Sequence, residues 1–254
     1  MPETEIDSEP EMEELLLRVV PGLAKEWRGS SPDEIAQIER IAGRPLPSFY
    51  RWFLSRMGQS MGALSHPTLD FSAQRVLSCY AEGEVAPDPR FLLIAYESDE
   101  MMPLHLFYDF SAPERNDALV TKRGAQGGEL YDMFETLREM LARSALFAFR
   151  LLREMPQQCN GFAEGNDPDF LSRLDPVMSR LGFTQPISTG RICRLYERPD
   201  AVMICDGVPR LGLGDGVPFS LGGSSSGALR RILGEIATES SLRVSVRKWS
   251  PELQ

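Results

Sequence analysis

Residues 27–64, WRGSSPDEIAQIERIAGRPLPSFYRWFLSRMGQSMGAL, decide the fold of the first half of the chain. Ser31 can cap a helix whose first residue is Pro32, and the acidic residues that follow favour the positive end of the helix dipole. Gly43 supplies the stop signal. After the rigid RPLP segment, aromatic and aliphatic residues recur at helical spacing up to Gly58. The stretch therefore predicts two amphipathic helices joined by a short proline-rich connection.

Further helices and strands are predicted on both sides of this pair. A helix over 13–20 precedes it, after an acidic leader, residues 1–13, that we expect to be disordered. Residues 91–96 read as a buried strand, and the alternation over 102–110 predicts a second strand that pairs with it across a polar turn. A long amphipathic helix over 129–154 closes the domain. Residues 14–155 thus predict an α+β domain with N-terminal helices packed on a mostly antiparallel central sheet.

The composition shifts to glycine, proline and serine after Met155, and we place a domain boundary there. A helix capped by Asp167 is expected to end at Gly182, and strands near 191–197 and 201–206 flank a Pro-Asp turn. A helix from Gly227 and a final strand, LRVSVRKW, follow. Residues 156–254 therefore predict a small α+β C-terminal lobe of unknown role.

Charge is distributed unevenly along the 254 residues. Residues 1–149 hold 25 acidic and 14 basic side chains, whereas residues 150–254 hold 12 and 13. The first half would repel polyanions, so nucleic acid and anionic membranes are excluded as partners and a basic protein is favoured. No apolar stretch reaches the length of about 20 residues that a membrane span needs, and the N-terminus lacks a secretory signal. These features predict a cytoplasmic protein.

The stretch 27–64 resembles the opening of the SUKH superfamily, the fold shared by a fungal cell-wall-synthesis regulator and many bacterial immunity proteins. The family pattern is a tryptophan and a glycine, a proline-started helix containing a glutamate, a leucine-proline step, an aromatic-rich helix and a glycine. The matching positions are Trp27, Gly29, Pro32, Ile35, Ile38, Glu39, Leu46, Pro47, Tyr50, Phe53, Leu54, Gly58 and Gly62. FLLIAYESDE and LFYDFS resemble the family's central strands, with Asp109 in its usual Tyr-Asp step. The likeness covers roughly residues 22–145 and leaves residues 156–254 outside it.

The resemblance implies a protein-binding module, because many bacterial members of the family neutralise a cognate toxin by covering its active site. A surplus of carboxylates would speed the capture of a basic toxin domain. The large apolar residues of the motif are expected to form the core rather than to react. We therefore predict an immunity protein that binds a cognate toxin. A regulatory or scaffolding protein of the fungal type is the alternative.

Catalytic signals are weak. Residues 223–227 satisfy the Gly-x-Ser-x-Gly pattern around Ser225, but a nucleophile elbow needs a histidine downstream, and both His66 and His105 precede it. A phosphate loop would need a lysine and a hydroxyl residue where Ala228 and Leu229 stand. A flexible loop that caps the following helix is the favoured interpretation. We expect no enzyme activity, an enzyme of unrecognised class being the weakest alternative.

Metal and disulfide chemistry are also disfavoured. The two histidines lie 39 residues apart, and the four cysteines contain no Cys-x-x-Cys pair. A disulfide-stabilised domain would be shorter and richer in cysteine, so reduced thiols are expected. The lack of a histidine or cysteine cluster predicts that no metal is bound. We also expect no cofactor.

The partner surface is assigned to carboxylates on the loops that flank the predicted central strands, because recognition residues concentrate on loops. They are Glu97, Asp99, Glu100, Glu114 and Asp117. The competing interpretation is that these residues only keep the turns soluble.

Overall fold

The helix pair of residues 27–64 forms as predicted in the computed structural model, which describes residues 8–209 and 216–251. The side chain of Ser31 accepts a hydrogen bond from the N–H of Glu34, whose carboxylate accepts one from the N–H of Ser31. This reciprocal capping box starts helix α3, Pro32–Ala42, which ends at Gly43 in the left-handed conformation with φ of +64°. Helix α4, Ser48–Met57, follows.

The chain is α+β, with 38% helix and 32% strand, and it divides into two compact units, residues 1–140 and 141–254. The division falls within helix α6, Leu137–Ala145, rather than at residue 155, where the composition changes. The other helices of the first unit are α1 Pro10–Val19, α2 Leu23–Glu26 and α5 Ala73–Ala81. Its strands are β1 Trp27–Arg28, β2 Ser60–Met61, β3 Leu69–Asp70, β4 Phe91–Glu97, β5 His105–Glu114, β6 Asp117–Gly124 and β7 Gly127–Phe134.

The first unit is built on an antiparallel sheet of five strands in the order β3-β4-β5-β6-β7. Successive strands are neighbours, as short connections favour. Helix α4 contributes the largest buried side chains, with Tyr50, Trp52 and Phe53 all 0% exposed. The ring of Tyr50 meets that of Tyr108 on β5 edge to face at 5.2 Å. The predicted packing of N-terminal helices against an antiparallel sheet is therefore confirmed.

The prediction of a long closing helix over 129–154 is wrong for the first part of that range. Residues 127–134 form strand β7, whose Tyr131 pairs with Lys122 of β6. Gly127 has φ of +99°, a conformation suited to the tight turn between these strands. The spacing of the apolar residues is compatible with a helix as well as with a strand; these residues are Leu130, Met133 and Phe134. Pairing with β6 selects the strand. Helix starts only at Leu137 and continues as a π-helical segment, Leu146–Leu151, and a short helix α7, Leu152–Glu154.

The predicted acidic leader also ends earlier than expected. Helix α1 begins at Pro10, and Met12 is fully buried, so residues 10–13 belong to the folded domain. Arg138 binds the carboxylates of Glu9 at 3.2 Å and Glu11 at 2.8 Å, which gives these acidic residues a structural role. Residues 1–7 lie outside the described part of the chain.

The second unit, residues 141–254, has its own antiparallel sheet of five strands. Its strands are β8 Gln157–Glu164, β9 Cys193–Arg198, β10 Ala201–Asp206, β11 Val217–Gly223 and β12 Arg243–Ser250. They form a sheet in the order β12-β8-β11-β10-β9. Its remaining helices are a 3₁₀ turn Phe170–Arg173, α8 Leu174–Arg180 and α9 Ser226–Glu239. Apolar residues of α8 and α9 pack on one face of this antiparallel sheet.

No helix within residues 8–209 and 216–251 is long and apolar enough to cross a membrane.

Candidate functional site

The most exposed apolar side chains in the described part of the first unit lie on the connection between β4 and β5. This connection, residues 98–104, is called the methionine loop below. Met101 is 92% exposed and Met102 64% exposed. Two adjacent methionines in water represent apolar surface that folding has left uncovered, and methionine is common in adaptable binding surfaces.

Local hydrogen bonds fix the shape of the methionine loop. The carboxylate of Asp99 accepts the N–H of Met101 at 2.9 Å, and its carbonyl accepts the N–H of Met102 at 3.2 Å. The carbonyl of Met102 in turn accepts the N–H of Leu104 at 2.7 Å. These bonds turn the chain sharply and hold both methionine side chains outward.

The base of the loop is held by its neighbours. The N–H of Ser98 donates to the carbonyl of Thr68 at 2.8 Å, and the N–H of Glu97 donates to Nδ1 of the buried His105 at 3.0 Å. The ring of Tyr96 stacks on that imidazole at 4.6 Å, and the guanidinium of Arg75 lies 3.7 Å above the Tyr96 ring. The base of the methionine loop is therefore held by hydrogen bonds and ring contacts, and its tip projects from the sheet.

Asp99 and Glu100 give the loop its charge. Both are exposed, and neither forms an ion pair with a cation in residues 8–209 or 216–251. Glu97, the third carboxylate predicted here, is not on a loop: it ends β4 and is only 7% exposed. Its burial acts to raise the pKa, but hydrogen bonds from Thr68 and the Asp99 backbone, with nearby Lys122, outweigh this and lower it. Glu97 thus stabilises the base of the loop instead of facing a partner.

The remaining two predicted carboxylates lie at the other end of β5. Glu114 is exposed and lies 3.3 Å from Arg115, whereas Asp117 begins β6 and is 3% exposed. Burial raises the pKa of Asp117 to about 6, although the N–H groups of Ala118 and Arg138 hydrogen-bond to its carboxylate. Strand β5 has 10 residues, so its two ends are about 30 Å apart. The five carboxylates do not form one surface, and the prediction that Asp117 and Glu97 are surface residues is wrong.

A depression with a volume of about 410 Å³ lies beside the methionine loop. Ser98 of the loop lines it, together with His66, Thr68 and Asp70 from the segment before α5. Met57, Met61 and Phe71 form its apolar part. The depression thus combines hydroxyl and carboxylate acceptors with apolar walls, which suits the long side chain of an arginine or lysine.

The residues of the family-like motif have structural roles. Tyr50, Phe53 and Leu46 are buried, and Trp27 is half-buried. Pro32 is the first residue of α3, and Pro47 directly precedes α4. Glu39 accepts the N–H of Leu46 at 3.1 Å and so ties α3 to the connection before α4.

Two of the three motif glycines, Gly29 and Gly58, allow close contacts with neighbouring segments of the chain. A Cβ on Gly29 would lie 1.9 Å from the carbonyl oxygen of Ser55, and one on Gly58 would lie 2.1 Å from the hydroxyl of Ser30. Asp109, on β5, is fully buried and receives two hydrogen bonds from Arg90, at 2.9 and 2.8 Å.

Ser225 caps helix α9, accepting the N–H of Ala228 at 3.2 Å, as the non-catalytic interpretation of its glycine-rich loop predicted. All four cysteines are free and buried, and burial raises the pKa of Cys159 to about 12. Within residues 8–209 and 216–251 no group of three or more His, Cys, Asp or Glu side chains could hold a metal ion.

The methionines were missed by sequence reasoning, because the alternation of residues 102–110 assigned Met102 to a strand. Two consecutive methionines directly after Asp-Glu, in a segment already interpreted as a turn, were the available signal. Comparison with protein-family models and with curated proteins gave no match, so function is argued from this geometry.

Proposed function

We propose that this chain is a protein-binding module that contacts its partner through the methionine loop, and that the partner is a basic protein. The observation that carries the proposal is the exposure of Met101 and Met102, at 92% and 64%, directly beside the exposed carboxylates of Asp99 and Glu100. Methionine is enriched at the centres of protein interfaces, and polar or charged groups form their rims.

The charges of the loop favour a basic partner. The exposed Asp99 carries one negative charge, and Glu100 adds a second next to the apolar tip. Such charges accelerate encounter with a positive surface, while the methionines supply the contact that is desolvated on binding. A partner's arginine or lysine could then enter the depression of about 410 Å³ beside Ser98 and Asp70.

An immunity protein that neutralises a cognate toxin is the specific form of this proposal. Its support is the resemblance of residues 22–145 to the SUKH superfamily, together with the 25 acidic and 14 basic residues among positions 1–149. A toxin that acts on nucleic acid presents a basic active site, which an acidic projection with an apolar tip would cover.

Calorimetric titration of the full chain against the product of the neighbouring effector-like gene tests this function. We expect one-to-one binding that weakens as salt is raised, and loss of the effector's activity in the complex. Met101→Ser/Met102→Ser should weaken binding at least tenfold, as should Asp99→Lys/Glu100→Lys.

Two control variants separate the loop from general effects. Leu17 is 42% exposed and Val208 is 40% exposed, so Leu17→Ser/Val208→Ser removes two exposed apolar side chains outside the loop. Glu14→Lys/Glu82→Lys changes the net charge by the same amount at exposed positions outside the loop. Equal losses in the loop and control variants would refute the assigned surface. Recovery of endogenous, non-toxin partners through the same loop would instead support the regulatory alternative.

A further inference from the structure

The second sheet has one face that is only partly covered. Cys159 and Ala163 of β8 point into the core formed with α8 and α9, so Asn160 and Phe162 lie on the opposite face. On that face the π-helical segment Leu146–Leu151 packs against β10 and β11. Asn160 is exposed and Phe162 is half-buried, so the surface of β8 and β12 is open to solvent.

A β-bulge in β12 directs two consecutive basic side chains to this open face. Val246 is paired with Gly161 and Lys248 with Asn160, which makes Arg247 the extra residue. Regular alternation would send Arg247 and Lys248 to opposite faces. Instead, Lys248 shares the face of Asn160, and the guanidinium of Arg247 lies 5.3 Å from the ring centroid of Phe162.

The positive charge of this face is not neutralised within the described chain. Arg247 and Lys248 are exposed, and neither has an ion-pair partner among residues 8–209 and 216–251. Glu164, at the end of β8, is already bound by Arg243 at 2.8 Å. The open face therefore has two cations available to a ligand.

A small cavity adjoins these cations. Its volume is about 220 Å³, and Phe147, Leu151 and Leu152 form its apolar wall. Lys248, Asn160 and Gln158 line the other side. This combination fits one aliphatic side chain flanked by carboxylates.

We propose that the open face, formed by Asn160, Phe162, Arg247, Lys248 and the adjoining cavity, binds an acidic peptide segment of a partner protein. The aliphatic side chain of the segment enters the cavity, and its carboxylates bind Arg247 and Lys248. The segment is favoured over nucleic acid because polyanion affinity grows with the number of phosphate contacts, and this face has few cations in a protein of net charge −10. Two copies of β12 would repel each other, which disfavours self-association through this edge.

Fluorescence anisotropy of a labelled peptide, Glu-Asp-Glu-Leu-Asp-Glu-Asp, with the full chain tests the inference. We expect saturable, salt-sensitive binding that Arg247→Glu/Lys248→Glu weakens at least tenfold. The control Arg191→Glu/Arg231→Glu makes the same charge change at exposed positions outside the face and should leave binding within twofold. Replacing the leucine of the peptide by glycine should weaken binding at least threefold, because the cavity then stays unfilled.

Several outcomes would overturn the inference. They are the absence of saturable binding, equal losses in the two double variants, and tighter binding of a twelve-residue oligothymidylate or of phosphatidylserine vesicles at the same salt concentration. All four substituted residues are exposed, so circular dichroism should show unchanged folding in both variants. The test does not involve the methionine loop, so its failure would leave the proposed function of that loop unaffected.

Discussion

The backbone N–H of Glu97 donates a hydrogen bond of 3.0 Å to Nδ1 of His105, and this bond closes the base of the methionine loop. An accepting Nδ1 means that the imidazole is neutral with its proton on Nε2. Burial lowers the pKa of His105; Glu84 and Glu97 oppose this, while Arg75 adds to it. Arg123, which is paired with His105 on the neighbouring strand β6, adds further positive charge on the same face of the sheet. Protonation would replace the hydrogen bond by two opposed N–H groups.

His105 should therefore make stability depend on pH. Its pKa is lower in the folded chain than the ordinary 6.5. Above pH 6.5 the imidazole of His105 is neutral in both the folded and the unfolded chain. Below pH 6.5 the unfolded chain binds more protons than the folded chain. The free energy of unfolding therefore falls as pH decreases through 6.5 towards the folded pKa. His105→Gln keeps an acceptor without titrating and should remove this component, whereas His66→Gln should not. Urea denaturation at pH 5, 6, 7 and 8 measures the difference. Identical pH profiles for wild type and His105→Gln would contradict the prediction.

Arg90 should be required for stability through its two bonds to Asp109. The carboxylate is fully buried, so Arg90→Ala leaves a buried charge short of two charge-assisted hydrogen bonds. We expect a loss of about 2–3 kcal/mol in the free energy of unfolding, and recovery of less than half of it in Arg90→Lys, which lacks the planar fork. Arg44→Ala, which removes an exposed cation above Phe110, is the control and should cost less than about 1 kcal/mol. The urea concentration at the midpoint of unfolding measures these losses. Full recovery of stability in Arg90→Lys would mean that the charge alone matters.

Ser225 should act as a helix cap and not as a nucleophile. Ser225→Ala removes the acceptor for the N–H of Ala228 and should cost about 1 kcal/mol, whereas Ser225→Asp retains a cap. Neither substitution should change binding of the effector. If the wild-type chain hydrolysed an ester substrate and both variants had lost this activity, the enzyme alternative would be favoured. The reason is that aspartate preserves the cap but not the hydroxyl.

The features predicted from sequence are those set by chemistry within a few residues. Ser31 and Glu34 form their capping box within one helical turn, and Gly43 ends the same helix for a local steric reason. Strands 91–96 and 201–206 carry enough β-branched and aliphatic residues to be recognised alone. These signals do not depend on distant partners, which explains why they were read correctly.

The sequence predictions are wrong where the structure of a residue depends on contacts with a part of the chain that is distant in sequence. Strand β7 depends on pairing with β6, which no helical or strand period within residues 129–134 reveals. Asp117 was placed on the surface because it fell on a predicted loop, yet it is buried and accepts the N–H of Arg138, 21 residues away. The outward position of Met101 and Met102 depends on the anchoring of Ser98 to Thr68, which a one-dimensional pattern does not contain.

Gly29 and Gly43 should differ in their tolerance of alanine, because different constraints act on them. A Cβ at Gly29 would lie 1.9 Å from the carbonyl oxygen of Ser55, so the backbone of α4 has to move. A Cβ at Gly43 meets nothing within 4 Å, and only its φ of +64° is unfavourable. We expect Gly29→Ala to cost about 3 kcal/mol or more and Gly43→Ala about 1 kcal/mol in the free energy of unfolding. Urea denaturation of both variants measures this order. Equal costs would mean that the contact of Gly29 with α4 is not tight, and would remove the physical reason for a glycine at that position of the motif.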